Sequence, residues 1–186
     1  MSNPDQLIRL LRGGVRGEAK RYFSGLPGLD ALSLPPDYVR TISELGSGFS
    51  FDDKLSILHP KVIRRDSGQH QRDLEAIHGS EGVCFYDGRL VSSVDSPLGR
   101  EYVRFSSLVC WGMDNSGKKL FWDTSEETGQ WHVIATDCSV SWARHKMSFG
   151  DYLYKLITRD LICPVFTKPA WPRGGVGEVH IHEIDF

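Results

Sequence analysis

The sequence predicts an α+β fold: a mainly antiparallel β-sheet with flanking helices. Three observations carry this. Apolar β-type runs over Phe105–Trp111, Lys119–Trp122 and Trp131–Ile134 are separated by turn residues. They lead into a capped amphipathic stretch that begins at Ser148. Strands followed by a helix, with no regular alternation of the two, favour antiparallel pairing over βαβ crossovers.

The totals set the bounds. The chain has 186 residues, enough for one full-sized domain, with 40% hydrophobic and 25% charged residues. Residues 1–33 read as an N-terminal helix and a connection, and 34–186 as a single domain with a C-terminal extension from about residue 169. A formal net charge of −2 gives no basic surface for non-specific nucleic-acid binding, so no direct nucleic-acid partner is expected. No apolar run reaches the length of a membrane span, and Met1–Gln6 lacks a signal-peptide pattern. The expectation is a cytoplasmic protein without a membrane partner.

Each element follows from local pattern. Asn3, Pro4 and Gln6 make a helix start, Leu7, Ile8 and Leu11 form one face, and Gly13-Gly14 ends it. A second helix starts near Pro36, buries Tyr38, Ile42 and Leu45, and stops at Gly46. Leu55–Leu58 reads as a short strand closed by His59-Pro60, and Gln69–His78 as a surface helix. Over Gly82–Val94 two strands flank the Asp87-Gly88 turn. Asp114–Gly117 turns one hairpin and Ser125–Gly129 the next. Ser148 and Asp151 then form a capping box for a helix that buries Phe149, Tyr152, Leu153, Leu156 and Ile157. Val179–Ile184 reads as a last strand.

Two blocks together resemble the SMI1/KNR4, or SUKH, family. One is Leu34-Pro35-Pro36-Asp37-Tyr38, followed by Leu45-Gly46-Ser47-Gly48-Phe49 and Leu58-His59-Pro60. The other is Trp111-Gly112-Met113-Asp114, Gly117, Phe121-Trp122, Trp131-His132-Val133 and Ser148-Phe149-Gly150-Asp151-Tyr152-Leu153. The resemblance implies a SUKH-like fold over Leu34–Phe166. It also implies a bacterial immunity protein that neutralises a cognate toxin domain, of nuclease or deaminase type, by stoichiometric binding. A housekeeping scaffold or regulator that binds an endogenous partner is the alternative. The family brings no catalytic residues or cofactor to this chain, so an enzyme is not expected.

Candidate sites remain to be weighed. Exposed carboxylates in a hairpin loop can mimic phosphates toward a basic partner, which singles out Asp123, Glu126 and Glu127. Asp52 and Asp53 form a second acidic spot of the same kind. His180 and His182 share one strand face beside Glu183, a geometry open to metal, although near a chain end solvent-facing alternation against Val179, Ile181 and Ile184 is the commoner explanation. No metal site or cofactor is assigned. Four cysteines at 84, 110, 138 and 163 never form C-x-x-C and read as reduced structural residues. Cys138 with His145 stays open as a nucleophile and base. Trp111, Trp122, Trp131 and Trp142 suggest core more than a base-stacking platform, because no lysine or arginine is interleaved with them.

Overall fold

A computed structural model describes residues 4–15, 34–52, 54–91, 101–128, 130–166 and 177–182. Its helices are α1 (Pro4–Gly14), α2 (Pro36–Leu45), α3 (Pro60–His78) and α4 (Phe149–Thr158). The first five strands are β1 (Phe49–Phe51), β2 (Leu55–Ile57), β3 (Gly82–Tyr86), β4 (Arg89–Val91) and β5 (Glu101–Arg104). The others are β6 (Leu108–Asp114), β7 (Lys119–Asp123), β8 (His132–Thr136), β9 (Trp142–His145) and β10 (Val179–Ile181). Among the described residues ten strands join one antiparallel sheet in the order β10-β1-β2-β6-β7-β8-β9-β4-β3-β5. The fold is therefore α+β, and no helix among the described residues is long and apolar enough to cross a membrane.

Strand alternation builds two cores, one on each face of the sheet. Leu120, Trp122, Val133, Ala135 and Ala143 point to the face covered by α1, α2 and α4. Phe121, Ile134 and Trp142, the intervening residues, point to the face where α3 contributes Leu74. Strand β6 breaks the alternation with a bulge between Cys110 and Gly112. Trp111 is the extra residue: it and Gly112 both fall on the helix-covered side, so Met113 as well as Cys110 faces the other side. Gly112 suits that position: a Cβ would sit 3.2 Å from the Ser56 carbonyl and 3.4 Å from Leu120, tighter than ordinary packing.

Caps and one long-range tie fix the helices. Gly46, at φ 88°, ends α2 and donates to the Ile42 carbonyl. Ser148 caps α4 by accepting from the Asp151 amide at 3.3 Å. Asp37 on α2 reaches the same helix start and accepts from the Gly150 amide at 2.7 Å. Its neighbour Tyr38 donates to the Leu58 carbonyl and packs edge-on to Trp122 and Phe149. The Asp37-Tyr38 pair thus joins the N-terminal block of the sequence to the aromatic strands and to α4. Leu7 and Leu11 of α1 are fully buried in this same core.

Several elements differ from the sequence reading. Helix α3 begins at Pro60, well before Gln69, because His59 caps it by accepting from the Lys61 amide and proline suits the first turn. Among its described residues Pro60, Ile63 and Leu74 are buried, so its first half offers too few apolar positions to show a helical period. Strands β1, β5 and β9 are too short to show a period, and Phe105–Ser107 is a 3₁₀ turn preceding β6. The predicted end of the last strand, 183–184, lies outside the described residues.

Candidate functional site

The β7–β8 hairpin stands on a buried charge cluster. Asp123 ends β7 directly after the apolar run Leu120-Phe121-Trp122 and is only 1% exposed. One carboxylate oxygen accepts from the Ser107 hydroxyl and the Ser125 amide, each at 3.2 Å. The other accepts from Arg144 Nη2 at 2.8 Å. The expectation of Asp123 as an exposed contact is therefore corrected. Its carboxylate is consumed inside the protein, where an ion pair and two neutral donors offset the cost of burial.

Arg144 is the centre of this cluster, with its side chain 7% exposed. Besides Asp123 it pairs with Glu101, which Lys146 also holds. Its Nη2 lies 3.2 Å from His132 Nδ1. Burial first, and then Arg144, lower the His132 pKa, so the neutral ring with an accepting Nδ1 is favoured. The Lys146 hydrogen bond is the leading cause that holds the Glu101 carboxyl below its ordinary range. Two carboxylates and two cations balance, so the cluster fastens strand ends and presents little net charge to a ligand.

The same contacts cross the sheet. Glu101 on β5 is three strands away from Arg144 on β9. In a flat sheet that separation would be about 14 Å, beyond the reach of an arginine side chain alone. The Arg144 and Glu101 side chains therefore together span β4 and β3 on the α3-side face. No local spacing in the sequence links residues 101, 123 and 144. A carboxylate directly after the apolar run Leu120–Trp122 was the one available signal.

Above the cluster, the loop is held at both ends. Thr124 donates from its amide and its hydroxyl to the Ser107 carbonyl, both at 2.9 Å. Trp131 Nε1 donates to the Glu126 carbonyl at 2.9 Å, and the Gln130 amide to the Glu127 carbonyl at 2.9 Å. Trp131 itself packs on Trp122 in the core. Glu126 and Glu127 are left exposed on a backbone fixed from below.

The other acidic spot is elsewhere. Phe51 pairs with Leu55, which pairs with Asp114, so Asp52 lies at the β6–β7 turn end of the sheet. Glu126 and Glu127 lie at the opposite end. Asp52 has φ 53°, and its carboxylate accepts from the Glu178 amide at 2.9 Å, tying β1 to the segment before β10. Asp53 lies outside the described residues.

Cys138 and His145 are not brought together. Cys138 packs against the α3-side core, whereas the His145 ring packs on Tyr152 of α4, with the sheet between them. Burial raises the Cys138 thiol pKa, the opposite of an activated nucleophile. All four cysteines are free thiols. Among the described residues no three His, Cys, Asp or Glu side chains cluster as metal ligands. Trp111, Trp122 and Trp142 are core residues, and Trp131 is half-buried.

His145 sets a pH dependence. Burial pushes its pKa down from 6.5 to about 4. The unfolded chain takes up this proton as pH falls through 6.5, but the folded chain does so only near 4. Stability present above pH 6.5 should therefore be lost progressively down to about pH 4. Urea midpoints measured across this range should slope in the native chain and slope less in His145→Gln, where His59, His70 and His132, whose pKa values burial also lowers, supply what remains. Equal slopes in the two proteins would refute the assignment.

No family model, curated protein or solved structure matches this chain.

Proposed function

We propose that this protein works by stoichiometric binding to another protein, as an immunity protein that neutralises a cognate toxin domain. The observation that supports this reading is the acidic hairpin whose described backbone is tied by hydrogen bonds to Ser107 and Trp131. Glu126 and Glu127 project from a loop whose backbone is held by Trp131, Ser107 and the Asp123–Arg144 pair. A preorganised loop avoids much of the ordering cost of association. Paired carboxylates at its tip complement a basic surface, such as the substrate channel of a nuclease or deaminase, and speed encounter with it.

The test pairs this chain with the toxin domain encoded beside it. Co-expression should restore growth, and the purified proteins should elute as a one-to-one complex. Glu126→Lys with Glu127→Lys should slow association about ten-fold at low salt, with the difference shrinking as salt rises. Absence of both complex and rescue would sink the proposal, and an association rate indifferent to the double substitution would remove the loop from it.

A further inference from the structure

The helix-covered core on the outer face of the sheet ends at Ala143 of β9; no residue of β4, β3 or β5 belongs to it. The outer face of those three strands carries Val91 and Arg89 on β4, Gly82, Cys84 and Tyr86 on β3, and Tyr102 and Arg104 on β5. Tyr102 is 54% exposed and Tyr86 45%. The Tyr102 ring lies on the sheet over Gly82, where a Cβ would meet its hydroxyl oxygen at 2.7 Å and its Cζ at 2.8 Å. Glycine at that position lets an aromatic ring lie over the backbone with more than half its surface open.

Arginines flank both rings. Arg104 is two residues from Tyr102 on the same strand, and Arg89 is directly opposite Tyr86. Both are exposed, and neither forms an ion pair among the described residues. Glu101, the carboxylate of β5, belongs instead to Arg144 and Lys146. Glu81 and Asp87 sit in the turns at the two ends of β3 and bound the patch. Tyr102 and Tyr86 are diagonal neighbours on adjacent strands, their Cα atoms about 7–8 Å apart, with the Tyr102 ring leaning to the Gly82 side. The interleaving of aromatic and basic side chains that the tryptophans lack is present here.

We propose that the outer face of β4, β3 and β5 is a small platform for single-stranded nucleic acid. Tyr102 and Tyr86 stack bases, while Arg104 and Arg89 take the adjoining phosphates. Stacking tolerates any base, because every base has a π-face, so the platform is not sequence-specific. A net charge of −2 supplies no long-range attraction, so binding rests on these four side chains and is confined to a few nucleotides. This site is independent of the acidic hairpin, and either can fail without the other.

Fluorescence anisotropy of the full chain with a labelled short oligothymidylate tests it, with a duplex and polyglutamate as controls. Saturable binding of the single strand is expected, with weaker binding of duplex and of polyglutamate. Neutralising two phosphates gives a slope of log affinity against log salt of about −1.4. Tyr102→Ala should weaken binding about ten-fold and leave that slope intact, whereas Tyr102→Phe should bind as the native chain does. Arg104→Ala should reduce the slope by about 0.7. Urea midpoints of the variants report folding separately. Failure to bind the single strand, equal affinity for duplex, or an indifferent Tyr102→Ala would overturn the proposal. Polyglutamate binding as strong as the oligonucleotide would also overturn it, and would make the face a dock for an acidic protein.

Discussion

Replacing Arg144 with alanine should destabilise the fold by about 3–5 kcal/mol, the typical cost of breaking a buried ion pair from one side. Asp123 carries most of that cost. It is 1% exposed, and its remaining donors would be the Ser107 hydroxyl and the Ser125 amide, both neutral and both at 3.2 Å. Glu101 is better placed, because its side chain is 36% exposed and Lys146 still holds it. Urea denaturation should show a lower midpoint with little change in slope, since the surface exposed on unfolding is nearly the same. Joint replacement by apolar residues, Asp123→Leu with Arg144→Met, should recover much of the loss, because no unpaired charge then remains buried. If the single substitution proved almost neutral, the cluster would not be what fastens β5, β7 and β9 together.

Trp122→Ala should cost a similar amount, about 3–5 kcal/mol, through a cavity in place of an ion. Trp122 is fully buried, with Tyr38 at 4.9 Å, Trp111 at 5.8 Å, Trp131 at 5.9 Å and Phe149 at 6.3 Å between ring centroids. These rings come from α2, β6, the β7–β8 loop and α4, so four elements lose a shared neighbour at once. The loss reaches the acidic hairpin through Trp131, which packs on Trp122 and holds the Glu126 carbonyl. Amide exchange at Gln130 should quicken in the variant even where the fold persists. Trp122→Phe should cost less, since the ring remains and the indole N–H, which has no acceptor among the described residues, is removed. Similar losses for the two variants would mean that ring volume is not the source of the effect.

The readable parts of this fold were those with local causes. Tyr38, Ile42 and Leu45 show helical spacing, and their helix is present at Pro36–Leu45. Ser148 and Asp151 mark a start, and α4 begins at Phe149. The Asp114–Gly117 turn joins β6 to β7 as its residues require, with the Asp114 carboxylate accepting from the Ser116 and Lys118 amides. Strands β1, β5 and β9 were unreadable because three or four residues cannot display a period, and their strand character comes from paired neighbours.

The candidate site divides the same way. Glu126 and Glu127 were legible as an acidic turn, because charged residues between two apolar runs have nowhere to go but solvent. Asp123 read identically at the sequence level and proved buried, because its environment is set by Ser107 and Arg144 at separations of 16 and 21 residues. By itself the sequence determined the class of the fold, the helix ends, the hairpin turns and the apolar character of the tryptophan strands, since each depends on backbone conformation or solvent transfer within a short window. Only the tertiary structure decided which carboxylates are buried, and that the exposed Tyr86, Tyr102, Arg89 and Arg104 share one face of the sheet. Those properties depend on which strands become neighbours, and strand order follows from the packing of the whole chain.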